Sequence, residues 1–136
     1  MIELELYNAI DKITTTILVD KIDSNKYRMV NNDFVNGLTK GTEFEIKVNE
    51  QGDYELSQIT KQSEYITRQF HLSTKHKESD YFMLAEELAK YGGYWQLDFG
   101  GIAIINIPKD FKFDVDQVIK ELNLELTEIF EDGIKK

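Results

Sequence analysis

Carboxylates are the residues of this chain best placed to do chemistry, and they crowd towards its C-terminal end. Between Asp114 and Asp132 stand seven acids, Asp114, Asp116, Glu121, Glu125, Glu128, Glu131 and Asp132, against the single base Lys120. The whole chain holds 25 acidic and 16 basic residues, a formal net charge of −9. Such a field repels nucleic acid and anionic membrane surfaces, and it attracts a basic protein and speeds the encounter. The seven acids are therefore the candidate partner-binding residues. The expected partner is a basic protein whose basic site they would mask; nucleic acid and membrane are not expected partners. The plainer reading of the same residues is a solvated face.

Other constellations are weaker. Glu86/Glu87, Asp114/Asp116 and Glu131/Asp132 are paired carboxylates, but their apolar surroundings are too thin for acid–base work. His71 and His76, five apart, fall across a strand end and a loop, so their spacing defines no metal geometry. No Gly-x-Ser-x-Gly elbow, P-loop or dinucleotide fingerprint occurs. The absence of cysteine removes disulfides, thiolate ligands and a thiol nucleophile, and it fits a reducing compartment. The sequence thus predicts a non-enzymatic protein without metal or cofactor. The opening MIELELYNAI places two glutamates where a signal peptide would be basic, which points to the cytoplasm.

The elements that must position these acids are read from periodicity. Residues 2–6 alternate as a short edge strand or a first helical turn. Ile13–Val19 is β-branched and predicts a strand, followed by turn residues Asp23-Ser24-Asn25 and a partner strand at Lys26–Val30. After the turn Asn31-Asn32-Asp33, Phe34, Val35 and Leu38 are expected to plug a loop into the core. Phe44, Ile46 and Val48 face opposite to Glu43, Glu45 and Lys47, as in a strand with one solvated side. Asn49-Glu50-Gln51-Gly52 then turns it into Tyr54–Ile59.

Tyr65–Leu72 predicts a further strand, with Ile66, Phe70 and Leu72 on one face. Ser79 is the expected cap of a helix carrying Tyr81, Leu84, Ala85, Leu88 and Tyr91, which Gly92 would end. Tyr94–Phe99 and Ile102–Ile107 read as a hairpin turning on Gly100-Gly101, both with positive φ. Asp114 and Gln117 form a capping box for a second helix. Leu124–Phe130 is ambiguous between helix and strand. A strand is preferred, because Leu124, Leu126 and Phe130 share a period of two with only Glu128 against it.

The fold class that follows is α+β: a small antiparallel β-sheet or partial barrel over residues 1–62, then a ferredoxin-like βαββαβ sandwich over 63–136. The two lobes are expected to form one compact unit. Three stretches carry a resemblance. They are Asn36–Thr42 ahead of an acidic-apolar strand, the strand through Arg68-Gln69-Phe70, and the hairpin from Phe99-Gly100-Gly101 to Ile107-Pro108. Together they resemble a bacterial family of small acidic proteins known as a domain of unknown function, over roughly residues 13–132. Where that family carries an Asp before the terminal Pro, this chain has Asn106. The resemblance implies an immunity or inhibitor role, with a toxin or effector as the basic partner, and supplies no catalytic residues. Two other classes stay open: a small-molecule-sensing regulatory domain, and an enzyme whose site would be announced by a buried carboxylate in a deep cleft.

Overall fold

The computed structural model describes residues 1–110 and 114–130, and the chain divides into two compact units, Met1–Glu64 and Tyr65–Lys136. The protein is α+β: two antiparallel sheets and two short helices.

The first unit is a five-stranded meander of β1 (Ile2–Asn8), β2 (Ile13–Lys21), β3 (Lys26–Met29), β4 (Glu43–Val48) and β5 (Tyr54–Lys61). Each strand pairs antiparallel with the next, and β5 returns alongside β1, so the sheet curls upon itself. Residues 2–6 therefore belong to a strand that runs on to Asn8. Alternation puts Leu4, Leu6, Ile17, Val19, Tyr27, Met29, Phe44 and Ile46 inside, with Leu38 from the connecting loop. Two expectations fail at the margins of this core. Val48 is exposed, because the register of β4 shifts at two points and its end runs past the enclosed interior to pair with Tyr54. Of the three loop hydrophobics, Leu38 alone is buried, while Phe34 and Val35 are half-covered.

The second unit holds β6 (Tyr65–Leu72), a 3₁₀ turn (Glu78–Tyr81), α1 (Phe82–Lys90), β7 (Tyr94–Asp98), β8 (Ile102–Pro108), α2 (Val115–Glu121) and β9 (Leu126–Ile129). Its sheet is ordered β7-β8-β6-β9 with every ladder antiparallel, so β8 and β6 are the inner strands. Five consecutive residues of β8, Ala103–Ile107, are buried, as an inner strand requires. Phe70, Ile105 and Ile107 pack with Leu84 and Leu88 of α1 and Val115 of α2.

Helix ends decide this order. At the end of α1 the Gly93 N–H reaches the Leu88 carbonyl at 2.8 Å and the Gly92 N–H reaches Ala89 at 3.2 Å, with Gly92 at φ 78°. The last carbonyls are satisfied and the chain is aimed into β7. Asn123 does the same at the end of α2: it sits at φ 58°, its N–H meets the Lys120 carbonyl, and Leu124 N–H meets that of Ile119. The helix therefore stops and residues 126–129 form a strand. The start of α1 differs from expectation. The 3₁₀ turn precedes it, Ser79 lies inside that turn, and Asp80 closes its entry by accepting from the Lys77 N–H at 2.7 Å. The hairpin turn is displaced by one residue, since the positive φ values fall on Phe99 and Gly100 rather than on Gly100 and Gly101.

Gly93 is the tightest point. A Cβ there would stand 3.0 Å from the Leu88 carbonyl oxygen and 3.1 Å from that of Asn106. Neither backbone atom can yield without breaking the cap or the sheet, so Gly93→Ala is expected to cost about 1–3 kcal/mol, measured as a lowered midpoint of urea unfolding.

Candidate partner-binding surface

The seven candidate acids do not form one uniform patch. Asp114 caps α2, its carboxylate accepting from the Gln117 N–H at 3.0 Å. The reciprocal half of the predicted capping box is missing, because the Gln117 amide instead donates to Glu121 at 2.9 Å, one helical turn on. Glu125 precedes β9 and is exposed; it accepts from Lys75 Nζ and from the Ser73 hydroxyl, both at 3.4 Å. Glu131 and Asp132 lie outside the described residues.

Asp116 and Glu128 are brought together by a residue outside the predicted set. Arg68, on the inner strand β6, donates from Nε and Nη2 to the two oxygens of Glu128 at 2.9 and 2.7 Å. It donates from Nη1 and Nη2 to Asp116 at 3.2 and 3.0 Å. The register explains the geometry. Phe70 lies opposite Glu128 across the β6–β9 ladder, so Arg68, two residues away on the same face, meets Glu128 on the diagonal. The guanidinium also sits over the Phe70 ring, 5.1 Å from its centroid.

The side chains of Arg68 and Glu128 are only 24% and 25% exposed, whereas that of Asp116 is 74% exposed. Hydrogen bonding to Glu128 raises the Arg68 pKa above its ordinary range, partial burial opposes the rise, and the Asp116 hydrogen bond adds to it. A cation whose folded pKa is raised contributes stability that is complete below its unfolded pKa. That stability is lost only as pH climbs through the raised value, so across the neutral range the contribution is constant.

Arg68 had a signal in the sequence. It is the one charge on the Ile66–Phe70–Leu72 face of its strand, and Glu128 is the one charge on the corresponding face of 124–130. Two exceptions of opposite sign on adjacent apolar faces are one ion pair.

The histidines are placed without a metal geometry, and among the described residues no group of three or more His, Asp or Glu is arranged to hold an ion. His71 is exposed on β6. The His76 Nε2 accepts from the Glu125 N–H at 3.3 Å, and its Nδ1 lies 3.8 Å from Asp80. Beside it the buried Tyr81 donates its hydroxyl to the Glu125 carbonyl at 2.9 Å, accepts from Ser73 N–H at 3.2 Å, and stacks near Trp95. These contacts fix the 73–81 segment against the approach to β9.

The first unit does contain a buried carboxylate. Asp33 accepts from the Thr15 hydroxyl at 2.9 Å and the Asn36 amide at 2.6 Å, with Val35 N–H on its other oxygen at 3.2 Å. Asn36 in turn accepts from the Asn8 amide at 3.1 Å. Both Asp33 oxygens are engaged in closing the loop between β3 and β4, which is a structural use of the group.

No family model matches this chain, and no curated protein matches it. A solved structure that is similar to it, described as the novel crystal structure of a hypothetical protein from Neisseria gonorrhoeae, aligns with a TM-score of 0.59 at 14% identity. The alignment covers 93% of this chain and 89% of that one, and at this identity the likeness is one of fold. Among the described residues, no helix is long and apolar enough to cross a membrane.

Replacing Arg68 separates architecture from surface charge. Arg68→Ala leaves Glu128 half-buried without its cation and is expected to cost about 2–4 kcal/mol in chemical unfolding. Arg68→Lys is expected to recover part of this, since an ammonium cannot serve both carboxylates as a fork. Equal stability of Arg68→Ala and wild type would show that the pair contributes nothing.

Proposed function

We propose that this protein is a non-enzymatic, acidic protein-binding module of the immunity or inhibitor type, acting in the cytoplasm by masking a basic site on a partner protein. The observation that carries the reading is the charge left over after internal pairing. Arg68 occupies Asp116 and Glu128, and Asp114 is occupied as a cap, yet Glu121 and Glu125 remain exposed in a chain of net charge −9. Among the described residues Glu121 meets only a neutral amide, and the Lys75 contact to Glu125 is long and open to solvent. Exposed pairs of that kind are worth little, so a partner cation can displace them. The second unit supports a ferredoxin-like sandwich as the finer description, because its strand order β7-β8-β6-β9 places the two strands that open its βα units at the centre. Membership of the acidic domain-of-unknown-function family belongs to the same reading.

The test is affinity capture from extract of the native host, with wild-type protein and a Glu121→Lys/Glu125→Lys variant, followed by assay of whatever is retained. The expected outcome is a basic protein held by the wild type, released as salt approaches about 0.5 M, and retained at least tenfold less by the variant. Retention of no basic protein, or equal retention by the two forms, would falsify the reading.

A further inference from the structure

We infer that the outward face of the Glu78–Lys90 helical segment is the apolar anchor of this interaction and takes a basic amphipathic helix of the partner protein. The inference rests on the acidic-binding reading and deepens it by naming a surface outside the seven acids. At about 100° per residue, α1 divides cleanly. Leu84 and Leu88, with Tyr81 just before the helix, are buried on one side. Phe82, Met83, Glu86, Glu87 and Lys90 share the other. Phe82 is 51% and Met83 59% exposed, so two large adjacent apolar side chains stand in water on a helix whose inner face is already complete.

Isolated exposed hydrophobics are ordinary; the surrounding charge makes this pair specific. Glu87 is taken by Lys90, whose ammonium donates to it at 2.8 Å. Exposed Glu86, on the same stripe, and exposed Glu78, in the preceding turn, make no hydrogen bond or ion pair among the described residues. Phe82 and Met83 thus share their stripe with Glu86, which feels Lys90 one turn on only through space, and follow the turn that carries Glu78. An apolar anchor with an acidic rim complements a helix that carries Leu-type residues at i, i+3 and i+4 flanked by Lys or Arg. An acidic partner would be repelled, and a purely apolar one would leave both carboxylates desolvated and unpaired. A phenylalanine and a flexible methionine supply contact area that adapts to the facing ridge.

The probe is a fluorescein-labelled Leu/Lys peptide of about 18 residues with helical apolar spacing, titrated by fluorescence anisotropy beside a scrambled peptide of identical composition. The patterned peptide is expected to bind at least tenfold more tightly than the scrambled one. Phe82→Ala/Met83→Ala is expected to lose at least tenfold in affinity with an unchanged unfolding midpoint, since both side chains are exposed. Glu86→Lys is expected to weaken binding severalfold and to flatten its salt dependence, while Glu121→Lys/Glu125→Lys changes it little. Equal binding of the two peptides overturns the inference, as does loss through Glu121→Lys/Glu125→Lys without loss through Phe82→Ala/Met83→Ala; in either case the acidic reading stands. If neither peptide binds, the inference falls, and host capture decides independently whether the acidic reading falls with it. Sedimentation that finds a wild-type dimer dissociated by Phe82→Ala/Met83→Ala also overturns it, by assigning the face to a second copy of this chain.

Discussion

The second unit depends on one guanidinium. Arg68 stands on an inner strand, yet it meets carboxylates from the edge strand β9 and from the first turn of α2. An apolar residue could fill the same space but could not specify a register. The fork of Arg68 can: its Nε–Nη2 edge fits Glu128, its two Nη groups fit Asp116, and a shift of β9 by one residue would turn Glu128 to the other face. The four-residue β9 has little ladder of its own, so a charge-assisted tie to its neighbour is a physical means of holding it in place. Half-burial suits the role, because the Coulomb attraction is strengthened without the full desolvation cost of an interior pair.

The elements around this tie are set by how the helices stop. Both helices end in the same arrangement, a left-handed residue followed by an amide that reaches back three positions before the cap, with glycine in one case and asparagine in the other. Asparagine tolerates this conformation better than most residues, which is why α2 can end without a glycine. Each stop satisfies the last carbonyls and commits the next residues to an extended path. The close approach at Gly93, where α1 meets the backbone of β8, shows how little room this leaves.

The same accounting sorts the carboxylates. Asp114, Asp116 and Glu128 have structural partners, and so does Asp33 in the first unit. Acidity that serves the fold is unavailable for recognition until those bonds are broken. The charge open to a partner includes Glu121 and Glu125 near the second helix, and Glu78 and Glu86 on the α1 segment. This division between occupied and open carboxylates is the basis of the proposed binding role, in which affinity would come from an apolar anchor and partner choice from charge.

Local chemistry made most elements legible. β-branched runs, alternation over 43–48, the Asp114 cap and the glycine after Tyr91 act within a few residues, and the strands and helices stand where these signals put them, to within a few positions at their ends. The ambiguous segment 124–130 was also a local matter, decided by the ability of Asn123 to adopt a positive φ. The failures involve spatial neighbours. The end of β4 passes beyond its core, so Val48 is exposed despite its phase. The turn at Phe99-Gly100 is displaced because strand pairing, Asp98 with Ile102, sets which residues are left for the turn. Above all, the sequence alone determined that the chain is acidic and where its acids cluster. Only the tertiary structure decided which are neutralised, because a carboxylate's partner can lie 60 residues away, as Arg68 lies from Glu128, and pairing across a ladder is a property of register that no single stretch of sequence contains.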